Sequence, residues 1–250
     1  MTSITHHSAG RESARESIKG TSEIIFYRFI RIRTAEMKPY TCYLFDADGT
    51  LIDTAELIFQ SFRYSCKKFG PIDIPRSRVI EHIGLPLRTQ AELYLGPMND
   101  NEYAAFSSEH MCHQLQISPE YLRVFDGVTD VLSALKSCGA QLAVVTSRRR
   151  DSLNKYLHTC GLQEYFDICI TPEDTVRHKP DPDPALLAMQ RLSATARETI
   201  FIGDAEFDIL CGKQAGIDTA YIIQQHNSPQ RLKTQPTYLL HSLHELLTNN

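Results

Sequence analysis

Five short runs rich in β-favouring residues punctuate the chain: "TCYLF" (41–45), "QLAVVT" (141–146), "DICIT" (167–171), "TIFIG" (199–203) and "TAYII" (219–223). Helical patterns separate most of them, at roughly 127–138, 150–160, 183–193 and 206–215. Gly139, Gly161 and Gly216 follow three of these helical patterns, where a left-handed C-cap favours glycine. Nearly continuous apolar strands alternating with helices cannot leave one face in water. They predict a parallel sheet covered on both faces, an α/β Rossmann-like core. Ligands in such folds gather beyond the C-terminal ends of the strands.

The rhythm breaks between residues 56 and 123, where "ELIFQSFRYSCKKFG", "LRTQAELYLG" and "NEYAAFSSEHMCHQLQ" read as helices with no strand among them. This predicts an inserted α-helical cap domain (56–123), with core domain on either side of it (38–55 and 124–250). Residues 1–37 form an N-terminal extension, polar at first and then alternating in "IIFYRFIRIR"; it is expected to be disordered or accessory.

Bulk properties narrow the functional classes. With 42% hydrophobic and 22% charged residues the chain has an ordinary globular composition, and a net charge of −4 offers no general attraction to nucleic acid or anionic membrane. Seven scattered cysteines without a Cys-x-x-Cys pair argue against a disulfide framework or zinc site, and no stretch approaches the roughly 18–20 apolar residues of a membrane span. The expected location is cytoplasmic, with no nucleic acid or membrane as partner.

Chemistry-bearing residues stand at the ends of the strands. "DADGT" places Asp46 and Asp48 two residues apart; were the strand to continue, they would share a face about 6.5 Å apart, as suits a nucleophile and a proton-transfer group. A solvated turn would use the same residues. In "VVTSRRR", Thr146 and Ser147 can hold an anionic oxygen or cap a helix, and Arg148, Arg149 and Arg150 can steer an anion or simply face solvent. Lys179 in "HKPDPDP" can neutralise phosphate, unless it is an ordinary surface lysine. In "FIGDAEFD", Asp204 and Asp208 lie about one helical turn apart; each also suits a helix start. Four carboxylates meeting at one sheet edge would repel one another unless a hard divalent cation joined them. His110 and His113, one turn apart within the insertion, have a metal-ligating spacing, although a solvated helix face is the simpler reading.

Together these motifs resemble the haloacid dehalogenase superfamily, and within it small-cap phosphatases of the phosphoglycolate phosphatase type. "DADGTLID", "VVTS", "KPDPDP" and "GDAEFD…AG" stand in that family's motif order, and "VFDGV" (124–128) and "YLLHSLHELL" (238–247) resemble its return from the cap and its closing strand and helix. The resemblance implies a haloacid dehalogenase-like core. It implies Asp46 as nucleophile, Asp48 as acid–base, and Thr146, Ser147 and Lys179 around the phosphoryl group. Mg²⁺ would be held by Asp46, the carbonyl of Asp48 and Asp204, with Asp208 either a further ligand or a support to one. The retained aspartate at 48 resembles phosphatases and phosphomutases rather than dehalogenases.

Substrate choice is expected in "EHIGLPLRTQ" (81–90), where Gly84 and Pro86 shape a loop and Arg88 could bind a second anion or merely face solvent. The expected substrate is a small phosphorylated metabolite, 2-phosphoglycolate first. Pyrophosphate is the rival because "IGLPL" is similar to members that cleave it. A β-phosphoglucomutase-like mutase and a non-catalytic phosphate-binding module are the further alternatives, and the protein is expected to act as a monomer or homodimer.

Overall fold

The structure, a computed structural model, describes residues 37–83, 85–224 and 227–247. Strand β1 (Cys42–Phe45) is buried throughout, and its side chains divide between two hydrophobic clusters: Tyr43 and Phe45 enter one, Cys42 and Leu44 the other. A strand that feeds two cores must lie in a sheet with both faces covered. The chain then turns through residues 46–51 into the two-residue strand β2 (Ile52–Asp53).

Four consecutive helices follow: α1 (Ala55–Phe69), α2 (Arg76–Glu81), α3 (Leu87–Leu95) and α4 (Asp100–Tyr121). They enclose a cluster of their own, built from Phe62, Cys66, Ile74, Val79, Ala91, Tyr94 and Phe106. Helix α4 starts on a capping box in which the Asn99 side chain accepts from the N–H groups of Asn101 and Glu102 while Glu102 accepts from that of Asn99. Strand β3 (Arg123–Val124) returns antiparallel to β2, pairing Ile52 with Val124 and Asp53 with Arg123. This two-stranded ribbon was not expected from the sequence. Neither was α2, whose six residues are too few to show a period.

The core resumes with α5 (Val128–Ser137), β4 (Gln141–Val145), α6 (Arg150–Thr159), β5 (Ile168–Ile170), α7 (Asp183–Leu192), β6 (Thr199–Gly203), α8 (Glu206–Gln214), β7 (Asp218–Ile222) and β8 (Tyr238–Leu240). The six long strands form one parallel sheet in the order β5-β4-β1-β6-β7-β8. Helices α5 and α6 pack on the Tyr43 face, and α7 and α8 on the Cys42 face. The expected closing helix is instead a 3₁₀ segment, Leu243–Leu247. Because β1 lies between β4 and β6, the connections leave it in opposite directions, and a crevice opens at its C-terminal end. All seven cysteines are free, and no described helix is long and apolar enough to cross a membrane. The N-terminal extension lies outside the described residues except for Met37.

Candidate active site

Strand order brings the predicted residues to that crevice. Asp46 follows β1 directly, with its N–H donating to the Ile202 carbonyl at 2.9 Å; Thr146 follows β4, and Asp204 follows β6. Lys179 arrives from the segment between β5 and α7, and Asp208 from the first turn of α8. The Lys179 ammonium, 5% exposed, donates to Asp46 Oδ1 and Asp208 Oδ1, both at 2.6 Å, and to the Val145 carbonyl at 3.2 Å. The second Asp208 oxygen accepts the Ala205 N–H at 3.0 Å. Asp46, Asp204 and Asp208 are buried and offer carboxylate oxygens within 4.8 Å of one another.

Two glycines make this closeness feasible. A Cβ on Gly49, which has φ +81°, would stand 2.3 Å from Asp204 Oδ2, and a Cβ on Gly203 would stand 2.3 Å from Asp208 Oδ2. Thr50 donates its hydroxyl to Asp204 Oδ1 at 3.2 Å, and Asn227 donates to the Asp204 carbonyl at 3.2 Å. Neither Thr50 nor Asn227 was expected; a single Thr or Asn in a turn carries no distinguishing pattern.

Electrostatically the cluster lacks positive charge. Burial pushes the Asp46 carboxyl up to about 7 against the pull of Lys179, with Asp208 and Asp48 adding repulsion. Asp208 is raised likewise, first by burial. Burial opposes the charge on Lys179, but Asp208 and Asp46 overcome it and hold the ammonium protonated. Lys179 pairs with two of the three buried carboxylates, and all three offer oxygens within 4.8 Å of one another, a hard donor set. That fits a hard divalent ion such as Mg²⁺.

Asp48 departs from the expected geometry. The strand stops at Phe45, and Asp48 lies in the turn, so the two aspartates are not consecutive members of one strand face. Its carboxylate stands outside the acidic triad and is forked by Arg148, with Nε to Oδ2 and Nη2 to Oδ1 both at 2.7 Å. The Arg148 guanidinium lies 4.2 Å from the Tyr156 ring centroid, and Nη1 donates to Gln114 Oε1 at 3.3 Å. Burial disfavours its charge, yet Asp48 more than compensates and keeps the guanidinium firmly protonated. The arginine run is thus divided: Arg149 pairs with Glu173 and Arg150 with Asp174. The Thr146 hydroxyl oxygen accepts the Arg148 N–H at 3.1 Å, which leaves its proton free to donate, and Ser147 is exposed in the same turn.

The insertion holds the remaining candidates. Arg88 donates to Glu92 at 3.0 Å, Asp100 at 2.8 Å and the Met98 carbonyl at 2.9 Å, so three acceptors inside the insertion hold its guanidinium. Gly84 lies outside the described residues. His110 is not the solvated residue of the simpler reading. It is 2% exposed, bonded to the Ser65 hydroxyl at 3.0 Å and packed on Phe62 and Phe106, while His113 stacks on Tyr64.

A model of the haloacid dehalogenase-like hydrolases matches residues 43–222, which include Asp46, Asp48, Thr146, Lys179, Asp204 and Asp208. Pyrophosphatase PpaX of Bacillus velezensis is 35% identical over 211 residues, covering 84% of this chain and 96% of that protein. Pyrophosphatase PpaX of Halalkalibacterium halodurans is 37% identical over 209 residues, covering 82% and 94%. Among solved structures, a predicted phosphoglycolate phosphatase from Haemophilus somnus superposes with a TM-score of 0.77 at 20% identity, over 84% of this chain and 98% of that one, a likeness of fold. Motif order, the crevice chemistry and these matches agree: the chain belongs to the haloacid dehalogenase-like hydrolases.

Proposed function

We propose that the protein is a Mg²⁺-dependent phosphatase that hydrolyses a small phosphorylated metabolite, with inorganic pyrophosphate as its first candidate substrate. The observation that carries this reading is the Asp46–Lys179–Asp208–Asp204 cluster, which joins a carboxylate nucleophile to a cation and to further carboxylates. Asp46, Asp204 and Asp208, with the Asp48 carbonyl, would hold the ion. When bound, Mg²⁺ supplies positive charge against the phosphoryl oxygens and relieves the mutual repulsion of the carboxylates.

The chain's own residues do the rest. Lys179 orients Asp46 and neutralises part of the phosphoryl charge. A carboxylate oxygen of Asp46 attacks phosphorus, the bond from phosphorus to the leaving oxygen breaks, and its electron pair stays with that oxygen. Asp48 gives the leaving oxygen a proton, then takes one from the water that attacks the aspartyl-phosphate, restoring Asp46 and releasing phosphate. Thr146 and Ser147 donate to the phosphoryl oxygens. Helices α1–α4 act as a cap, and the seven free cysteines suit a reducing compartment such as the cytoplasm.

Two considerations favour pyrophosphate over 2-phosphoglycolate. The relatives named pyrophosphatase exceed 30% identity over nearly their whole length, whereas the phosphoglycolate phosphatase likeness is one of fold. Arg88, on which carboxylate recognition was to rest, is already engaged. The test is phosphate release with Mg²⁺ from pyrophosphate, 2-phosphoglycolate, a nucleotide and a sugar phosphate. Pyrophosphate is expected to turn over fastest, and Asp46→Asn should lose at least about a thousandfold on every substrate. Release of phosphate by Asp46→Asn at the wild-type rate would remove the nucleophile and with it the mechanism.

A further inference from the structure

Both oxygens of Asp48 accept from one guanidinium, which fixes where the carboxylate points. Arg148 fills them with two parallel bonds of 2.7 Å, and the pair is secluded, at 10% side-chain exposure for Arg148 and 20% for Asp48. The guanidinium is built into its place. Tyr156 lies under it, Gln114 accepts from its third nitrogen, and the Tyr156 hydroxyl donates to the same Gln114 oxygen at 3.0 Å. Gln114 is buried and belongs to α4, whereas Arg148 and Tyr156 belong to the core, so this cluster bridges the insertion and the second motif.

Releasing Asp48 therefore requires another partner for the fork. A guanidinium with little access to water gives up a bidentate carboxylate readily only when another anion takes its place. Arg148 touches the residue to which the proposed mechanism gives the leaving oxygen. An anionic group carried by the leaving portion of a substrate would arrive within its reach.

We propose that Arg148 is a specificity-determining residue for phosphates that carry a second anionic group. That group takes the Arg148 fork in place of Asp48, and the released Asp48 carboxylate takes up a proton from solvent water and delivers it to the leaving oxygen. In pyrophosphate the second group is the outgoing phosphate; in a phosphorylated carboxylic acid it is the carboxylate. An ester with a neutral tail leaves the fork on Asp48 and turns over slowly. This rests on the phosphatase reading above and assigns its substrate class to one side chain. Of the arginines singled out in the sequence, Arg148 is the one bonded to Asp48: Arg88 is held inside the insertion, and Arg149 and Arg150 pair with Glu173 and Asp174.

The test compares kcat and KM of the full chain with Mg²⁺ on pyrophosphate, 2-phosphoglycolate and 2-hydroxyethyl phosphate, the last a neutral-tailed counterpart of the second. Wild type should favour the two doubly anionic substrates. Arg148→Gln should lower kcat/KM for them at least about thirtyfold while raising it for 2-hydroxyethyl phosphate. Arg148→Lys, a point charge without a fork, should recover only part of the preference. An equal loss on all three substrates, or an unchanged ratio, would overturn the proposal and leave Arg148 as a support for Asp48. Should Arg148→Gln fail to fold, calorimetry on wild type and Arg148→Lys decides, with methylenediphosphonate against methylphosphonate. Weakening confined to the diphosphonate supports the exchange, and equal weakening overturns it. A wild-type protein inactive on everything would instead fail the phosphatase reading itself.

Discussion

At the scale of single residues, burial decides what a titratable side chain does. His110 is enclosed by Phe62, Phe106 and Ser65, and burial, with the positive charges of His113 and Arg148 nearby, holds its imidazole down to about 3. The ring is neutral in the fold, whereas an unfolded histidine takes up a proton below about 6.5. The unfolded state then binds more protons, so the associated stability is fully present above pH 6.5 and is lost as pH falls from there towards 3. Between pH 7 and pH 5 this loss should come to about 2 kcal/mol. Urea unfolding at the two pH values should show that excess in wild type and not in His110→Gln; equal losses would acquit His110. The sequence showed two histidines one turn apart but not which of them faces inward. The Arg148–Asp48 fork was hidden for a related reason: three consecutive arginines look alike on paper, and only the turn after β4 sends one inward and two outward.

At the scale of elements, what was legible was whatever has a period or a punctuating residue. All five apolar runs became strands within about a residue of their expected limits, and three of the four core helices end at Gly139, Gly161 and Gly216 with positive φ. The β2–β3 ribbon stayed invisible because two residues carry no alternation, and the site was legible because strand ends in a parallel sheet all point one way. The insertion was harder. Arg88 read as a loop arginine, yet it fastens α3 to α4 through Glu92, Asp100 and the Met98 carbonyl. Arg88→Ala should therefore weaken the insertion rather than the substrate. The partners are exposed, so the melting temperature should drop by no more than about 3 °C, and KM for pyrophosphate should stay within about twofold of wild type. A KM raised tenfold with an unchanged melt would return Arg88 to substrate recognition.

At the scale of the whole molecule, the arrangement of core and insertion suggests how substrate gains entry. The two are joined through β2 and β3, and on the motif side α4 rests on α6: Gln114 accepts from the Tyr156 hydroxyl, and Lys155 donates to the Leu115 carbonyl at 2.6 Å. Alongside the linkers lies a cavity of about 560 Å³, lined by Asp53, Ala55, Arg123 and Phe125 together with Arg76 of α2 and His241 of the core. Contact on one side and space beside the linkers are what a hinged cap needs, and lids of this kind move in microseconds to milliseconds. If the insertion must swing for each turnover, joining α4 to α6 should stop the enzyme without disturbing the motifs. In a background with Cys112→Ser and Cys138→Ser, a short thiol-reactive cross-linker across Leu115→Cys and Lys155→Cys should reduce turnover of pyrophosphate at least about tenfold, while each single variant treated alike stays active. A reducible linker makes the test reversible, since activity must return when it is cleaved. Undiminished turnover in the cross-linked protein would mean that substrate enters with α4 seated on α6, and that Arg148 exchanges its partners without the insertion leaving the core.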